Sequence, residues 1–425
     1  MVLPAPPLRP LLLALALLAW PVPGSSTVAD VGREYRTEHY DLYVEGDLDP
    51  VETGSMLEAL HAKLTRFFGR SPQSPLRVEI YETQSRFRGA LLRDRQPYES
   101  GGGLYGPTFE KVWLSIQPTR AYTRQLILHE ATHQFHFLVA TGNQFPSALW
   151  YTEGLAEFMA MSNWDGHRLE VGVVPAITLE DYPKRAHDAF DELDWDLEAA
   201  LFNRVSAGQA GSWAMVHFLA HFDRAKFRAL GRRLERREIP EVAFHEVYGG
   251  VSRKLVDQFR SWLESNRQPW EWHWNSWVQR GDWIEGESDV VAMSTLKTTP
   301  RRLDVELEPV SGYLKGGLVF GYKSSDDFYM MTLWDDRTIR VVRRRDDAWI
   351  RITQVEIDQP PGRDVLSVEQ SKEGVRLAAN GKLVTVVDAF GQVGLTVDGC
   401  TTRFRPVIDG GAAGFARVED DATAG

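Results

Sequence analysis

The spacing of hydrophobic positions changes near residue 270 and divides the chain into two parts. Before that point, stretches with apolar residues at helical spacing follow a few short alternating runs. After it, apolar and polar residues alternate in many short runs separated by turn residues, which is typical of strands with one buried face. The pattern therefore predicts a multidomain chain, α+β and mainly helical in its first part and all-β in its second.

The first part is predicted to begin with strands at 40–44, 76–81 and 111–116 and a helix over 51–68. Residues 99–103, with three consecutive glycines, predict a flexible loop. Later helices are predicted at 121–140, 192–203, 210–222, 224–236 and 252–267, and a short one follows Pro146.

An HExxH motif lies inside the predicted helix over 121–140. His129 and His133 are four residues apart, so they lie on one helical face with Cβ atoms about 5–6 Å apart, close enough to bind one cation. Neutral imidazole nitrogens suit Zn²⁺. Glu130 lies beside them and is a candidate general base for a metal-activated water.

Two glutamates at the same four-residue spacing follow in the next short helix. In an isolated helix, Glu153 and Glu157 would repel each other by roughly a few tenths of a kcal/mol. The rest of this helix is apolar, so the pair is better tolerated when positive charge lies opposite. A zinc ion on His129 and His133 supplies that charge, and an imidazole N–H supplies a partner for the second carboxylate.

The two motifs together resemble the pattern of the gluzincin metallopeptidases, in which HExxH is followed after nineteen residues by Glu-x-x-x-Glu. The second motif, Trp-x-x-Glu-Gly-x-Ala-Glu, resembles the peptidase MA-like branch of that group. The resemblance implies a gluzincin-type zinc peptidase domain that cleaves polypeptides. By motif position it implies that His129, His133 and Glu153 bind Zn²⁺, that Glu130 is the general base, and that Glu157 orients a ligand histidine. It also implies that an edge strand, here 111–116, pairs with extended substrate.

Several other residues compete for roles in such a site. His136 extends the histidine run, but it lies a turn further along and Glu153 already fills the third ligand position. Many relatives carry a tyrosine near 207–213 that this sequence lacks, which leaves the oxyanion-stabilising group unassigned. The candidates for that role, each also explained as a structural residue, are Tyr105, Tyr151, Gln209 and His217. His217 and His221 form a second pair at helical spacing, interpreted as core packing.

The second part, residues 270–418, resembles concanavalin A-like and laminin-G-like jelly rolls. The resemblance rests on the runs at 317–322, 379–382 and 391–395, and Asn380-Gly381 is a strong two-residue hairpin signal. Carbohydrate is therefore a candidate partner of this domain. Five tryptophans lie between 270 and 283; they either stack on sugars or, as we favour, fill the sandwich and its contact with the first domain.

Composition and the N-terminus restrict location and partners. The net charge of −11 argues against nucleic-acid binding, and a single cysteine, Cys400, excludes an intramolecular disulfide. Arg9 before an apolar run predicts a signal peptide at 1–26, with an uncleaved anchor as the alternative. The predicted organisation is that signal peptide, a zinc peptidase domain at 27–269, the jelly roll, and a disordered tail at 419–425.

The sequence thus predicts an exported zinc metallopeptidase, secreted or periplasmic in a bacterial envelope, without stable membrane insertion. The alternative is a cell-envelope binding or carbohydrate-recognition protein that carries a zinc-stabilised, weakly active peptidase fold. Metal content together with turnover of unstructured protein distinguishes the two.

Overall fold

The computed structural model describes residues 32–97, 101–178, 180–272, 276–312, 314–357, 363–409 and 411–412, which belong to one compact unit. The predicted signal peptide and C-terminal tail lie outside the described residues. Within the described part of the chain, no helix is both long enough and apolar enough to cross a bilayer.

A mixed five-stranded sheet forms one wall of the first part. Its strands are β1 (Arg33–Arg36), β2 (Tyr40–Val44), β3 (Leu76–Tyr81), β4 (Gly103–Gly106) and β5 (Lys111–Ser115). Their order is β1-β2-β3-β5-β4; the β2–β3 and β3–β5 pairs are parallel and the other two antiparallel. The predicted strands at 40–44 and 76–81 are confirmed.

The edge of this sheet differs from the prediction. Strand β5 is paired on both sides, so the expectation that 111–116 is an edge strand was wrong. The edge is β4, which includes the last residue of the glycine-rich run that had predicted only a loop. A four-residue strand with two glycines carries too little alternation to be recognised from sequence.

Ten α-helices and a π-helical turn accompany the strands in the described residues. They are α1 (Pro50–Phe68), α2 (Gln84–Arg93), α3 (Arg120–His136), the π-helical turn Phe137–Thr141, α4 (Leu149–Ala160), α5 (Tyr182–Glu192), α6 (Leu197–Leu201), α7 (Gly208–Phe222), α8 (Arg224–Glu235), α9 (Pro240–Tyr248) and α10 (Arg253–Ser265). A short hairpin, β6 (Asn163–Trp164) and β7 (Leu169–Glu170), follows α4.

The predicted helix over 192–203 was too long, because apart from its first residue only Leu197–Leu201 within it is helical, as α6. Helix α5 ends at Glu192, and Asp194 and Trp195 have positive φ angles of 50° and 58°, which no right-handed helix contains. Asp196 then caps α6 by accepting a hydrogen bond from the Ala199 N–H at 2.8 Å. Helices α2, α5 and α9 were not predicted.

From Trp270 onward the chain forms a two-sheet jelly-roll sandwich. Its strands are β8 (Trp270–Trp272), β9 (Ser276–Arg280), β10 (Trp283–Ser288), β11 (Ala292–Leu296), β12 (Arg302–Gly312), β13 (Leu314–Ser324), β14 (Asp327–Trp334), β15 (Thr338–Arg345), β16 (Ala348–Glu356), β17 (Asp364–Ser371), β18 (Gly374–Ala379), β19 (Lys382–Val387), β20 (Gln392–Val397), β21 (Cys400–Ile408) and β22 (Gly411–Ala412). The orders are β19-β18-β17-β12-β21-β10-β9, with β22 beside β21, and β16-β15-β14-β13-β20-β11-β8.

Local signals set parts of this sandwich. Asn380 and Gly381 both have positive φ, 49° and 78°, as a two-residue hairpin requires, and they connect β18 to β19 as predicted. Trp270 and Trp277 are buried in the sandwich core, which agrees with the packing interpretation of these two tryptophans.

The first part of the chain also contributes to the sandwich core. Ala176 and Ile177 are buried among the sandwich residues. The Gln279 side chain accepts a hydrogen bond from the Ala176 N–H at 2.7 Å, and the Gln279 N–H donates to the Ile177 carbonyl at 3.3 Å. Hydrogen bonds of the backbone as well as of side chains therefore connect the two parts.

A buried ion cluster joins α3 to the sandwich. Glu285 on β10 lies 3.5 Å from Arg124 on α3, 3.4 Å from Arg280 and 3.0 Å from Arg403. Burial opposes ionisation of Glu285, but the three guanidinium groups hold its pKa below the usual range. The carboxylate is thus the shared anion of three cations.

We expect Glu285→Ala to destabilise the protein by about 3–5 kcal/mol, because it leaves buried guanidinium groups without their anion. Urea unfolding measures the change. Glu308→Ala is the matched control, because Glu308 is half exposed and lies 3.9 Å from Arg403; it should cost less than about 1 kcal/mol. Equal stabilities of the two variants would show that the cluster does not hold the two parts together.

Candidate metal centre

Helix α3 is fixed at its beginning and end. The Thr119 side chain accepts a hydrogen bond from the Tyr122 N–H at 3.2 Å and so caps the helix. After the π-helical turn, Gly142 takes a left-handed conformation with φ of 60° and ends the segment. The helix buries almost all of its second half, which contains the HExxH motif.

Helix α4 lies against α3 and is held there by a close contact with α7. A Cβ atom on Gly154 would lie 2.3 Å from the Ser212 carbonyl oxygen, so only glycine allows the two helices to approach this closely. Because Gly154 follows Glu153 directly, the same contact fixes the position of the Glu153 backbone.

The two helices bring three predicted ligands together. His129 Nε2 and His133 Nε2 are 3.0 Å apart, and Glu153 Oε2 lies 3.6 Å from each of them. The two rings are nearly perpendicular, at 84°. The three side chains thus present two nitrogens and one oxygen toward a common point.

Glu157 contacts the other side of His129. Its Oε1 is 3.2 Å from His129 Nδ1, which turns Nε2 of that ring toward His133 and Glu153. Tyr182 is buried near the same carboxylate, and burial, the Glu157 charge and a hydrogen bond with Glu157 raise the pKa of the Tyr182 phenol.

Glu130 points from α3 toward the edge strand β4. It is 8% exposed. Its Cγ and Oε1 atoms lie 2.9 Å from the position that a Cβ on Gly103 would take. Burial is the main cause that raises the pKa of the Glu130 carboxyl above its usual value, although His129 and His133 oppose the rise.

The charges within the cluster favour a cation. Burial opposes protonation of His129, but Glu157, Glu130 and Glu153 raise its pKa to about 9. Burial likewise opposes ionisation of Glu153, yet His133 and His129 hold the pKa of Glu153 below the usual range. Three carboxyl groups around two imidazoles therefore create a negative potential at the point where the ligand atoms converge.

Other candidates from the sequence have different partners. His136 is buried against Phe68 and lies 3.5 Å from Glu235. Tyr105 donates to the Asn143 side chain at 2.7 Å, and Tyr151 donates to Glu235 at 2.9 Å. His217 is buried and its ring stacks on His221 at 4.2 Å, and Gln209 is exposed. Sequence reasoning missed Gly103 and Tyr182, which carry no motif signal, and gave no role to Gly154, although this glycine belongs to the Trp-x-x-Glu-Gly-x-Ala-Glu motif.

A second group of potential ligands occurs at His39, Glu58 and His61. The two imidazole rings are stacked 3.8 Å apart with an interplanar angle of 21°. A metal ion lies close to the plane of each imidazole that binds it, and two nearly parallel planes at this separation have no common point of that kind. Glu58 instead accepts hydrogen bonds from Thr37 and from the His39 backbone. This arrangement is a hydrogen-bonded cluster rather than a metal site.

The family described as "Protein of unknown function (DUF1570)" matches residues 125–240, little more than a quarter of the chain. The matched segment includes all of α4 and the part of α3 that carries the HExxH motif. Among curated proteins, none matches this chain.

Several solved structures are similar to part of the chain. One is the carbohydrate-binding module CBM66 from Bacillus subtilis, which is 17% identical in sequence and has a TM-score of 0.28. The match covers 32% of this chain and 91% of that chain. A GH43 protein, BlXynB, from Bacillus licheniformis has 13% identity over 33% and 37% of the two chains, with a TM-score of 0.27. Sheep galectin-11 in complex with glycerol has 13% identity over 28% and 98%, with a TM-score of 0.22. At these scores the similarities carry no argument about function, and the description of the sandwich rests on its strand order.

Proposed function

We propose that the protein is a zinc-dependent metallopeptidase of gluzincin type. The observation that carries the proposal is the convergence of His129 Nε2, His133 Nε2 and Glu153 Oε2. Glu130 follows His129 on α3 and interacts electrostatically with all three residues. We further propose that the chain is exported, on the basis of the apolar N-terminal run that follows Arg9.

The three side chains fit a zinc ion in number, type and spacing. Zinc binds nitrogen and oxygen at about 2.0–2.2 Å, so tetrahedral ligand atoms lie about 3.4 Å apart. The separations here are 3.0, 3.6 and 3.6 Å. His129, His133 and Glu153 would hold the ion, and Glu157 would fix the orientation of His129. When bound, Zn²⁺ supplies a Lewis acid that polarises a carbonyl and acidifies a water.

In this proposal, the Glu130 carboxylate accepts and then donates the proton that is transferred during hydrolysis. Glu130 is buried beside β4 and lies close enough to His129 and His133 for their charges to lower its pKa, although burial raises that pKa above its usual value. As the general base, Glu130 takes a proton from the attacking water as the oxygen adds to the peptide carbonyl. It then gives that proton to the departing amine, which leaves Glu130 ionised for the next cycle.

Strand β4 is placed to bind the substrate backbone. It forms one edge of the five-stranded sheet, and Gly103 at its start touches Glu130. An extended peptide that adds to this edge by main-chain hydrogen bonds would pass beside the general base, without a requirement for particular side chains. In this proposal β4 has the role that the sequence had suggested for 111–116.

We expect Gly103→Ala to lower kcat by up to about 100-fold, because a methyl group 2.9 Å from Glu130 displaces the carboxylate by a fraction of an ångström or more. Zinc content should not change. Gly101→Ala is the matched control in the same segment, since a Cβ there meets nothing within 4 Å. Equal turnover by both variants would mean that the fit between β4 and Glu130 has no part in the reaction.

Zinc analysis of the purified protein, together with turnover of a labelled unstructured protein, tests the proposal as a whole. Stoichiometric zinc and metal-dependent cleavage support it. Zinc without cleavage across many unstructured substrates would contradict the peptidase assignment.

That second result would favour carbohydrate recognition, the alternative function, and one observation supports it. Trp349 on the outer strand β16 is 45% exposed, with the Arg344 guanidinium 5.2 Å from its ring centre. An exposed indole face beside a hydrogen-bond donor is suited to stacking on a sugar ring.

A further inference from the structure

A large cleft lies away from the candidate metal centre. Its volume is about 1040 Å³. Its walls come from α1, the end of α4, the β6–β7 hairpin and the segment after it, the end of α7, the start of α8, and the β9–β10 turn of the sandwich with neighbouring β21. None of the five residues of the metal centre lines it. We call it the basic cleft, after the residues described next.

Positive charge predominates in the lining of this cleft. Six basic residues line it, namely Lys63, Arg66, Arg168, Arg224, Arg280 and Arg403. The acidic residues of the lining are three, Asp165, Glu170 and Asp282. This excess stands out in a chain whose net charge is −11, because the rest of the molecule has the opposite sign.

Some of these cations have partners and others do not. Arg280 and Arg403 are bound by Glu285, and Arg168 lies 3.3 Å from Glu170. Arg66 and Arg224 are exposed, and neither forms an ion pair with any residue that the structure describes. Their charges are therefore available to a ligand.

Repulsion on α8 adds to this unbalanced charge. Arg224, Arg228 and Arg232 are spaced four residues apart on one helical face, where like charges destabilise a helix. Burial lowers the pKa of Arg228, and its two arginine neighbours lower it further. Arg228 also donates to the Arg66 carbonyl at 3.3 Å, which joins this row of cations to the wall formed by α1. Arg224 is the member of the row that lines the cleft, so an anion bound there would offset its repulsion with Arg228.

Aromatic rings lie among the cations in the lining of the same cleft. Phe67 and Trp283 are partly exposed there, whereas Phe158 and Phe227 are buried beneath its surface. A densely charged polyanion would meet the three carboxylates of the lining and leave these rings unused. A ligand whose acidic groups are separated by apolar groups would use both kinds of surface.

We propose that the basic cleft binds an extended polypeptide segment in which acidic and apolar residues alternate. The volume is at the upper end of the range for small-molecule pockets, about 300–1,000 Å³, which suits several residues of a peptide. Arg66 and Arg224 pair with the acidic side chains, and the partly exposed rings of Phe67 and Trp283 pack against the apolar ones. The site is separate from the metal centre and does not depend on peptidase activity.

Fluorescence anisotropy of a short labelled peptide that alternates glutamate with leucine and phenylalanine tests this proposal on the full chain. We expect binding that weakens as salt is added. Arg66→Glu with Arg224→Glu should weaken it by about tenfold or more, since two attractive charges become repulsive. Repeating the measurement in a Glu130→Gln background removes cleavage of the probe as a cause of any change.

The matched control is Arg253→Glu with Arg376→Glu, which changes the net charge equally at exposed arginines outside the cleft. It should change affinity by less than about twofold. The milder pair Arg66→Gln with Arg224→Gln replaces the charge reversals if these unfold the protein. Equal losses in the test and control pairs would overturn the proposal. So would failure of the peptide to bind, or binding of a sulfated oligosaccharide in place of the peptide.

Discussion

Glu130→Gln should abolish most hydrolysis while zinc stays bound. The substitution keeps the size of the side chain and leaves His129, His133 and Glu153 unchanged, but an amide cannot take a proton from water. Loss of a general base lowers kcat by about 10²–10⁴-fold. Turnover of a labelled unstructured protein and zinc analysis of the same sample measure both quantities.

Glu110→Gln is the control for this experiment, because it makes the same chemical change at a residue that bonds Asn143 and lies outside the cluster. It should leave turnover within about twofold, as surface substitutions usually do. If Glu130→Gln lost its zinc, Glu130 would belong to the ligand set. If it kept full activity, the general base would have to be another group.

Glu153→Ala should lower zinc affinity by orders of magnitude. It removes one of three converging ligand atoms together with its negative charge, so only His129 and His133 remain to bind the ion. Competition with a chelator of known affinity measures the loss. Retention of full zinc occupancy under such competition would exclude Glu153 as a ligand.

Glu157→Ala makes a useful comparison on the same helix. Glu157 bonds His129 Nδ1 at 3.2 Å and offers no atom to the common point, so its removal should weaken affinity or activity by about 10–100-fold. The two glutamates are four residues apart and differ only in which side of the imidazole they face. A larger loss for Glu157 than for Glu153 would reverse their assigned roles.

The sequence predicted the residues of the candidate metal centre because their spacing is local. His129 and His133 share one helical face at any backbone geometry close to an α-helix, and the same holds for Glu153 and Glu157. The nineteen-residue gap between the two motifs is part of the family resemblance, and that resemblance predicted that the two helices lie together. The structure brings ligand atoms of His129, His133 and Glu153 within 4.8 Å of one another, and the roles of these residues stay predictions for the experiments above.

Local periodicity by itself also determined the change to an all-β part near residue 270 and the hairpin at Asn380-Gly381. Only the tertiary structure decided which strand forms the sheet edge, because strand order depends on partners far apart in sequence. The same is true of Gly103 against Glu130, Tyr182 beside Glu157, and Arg124 on Glu285. The residues in these contacts have no fixed spacing along the chain, so no sequence pattern predicts them. The contacts form only when separate elements pack against each other.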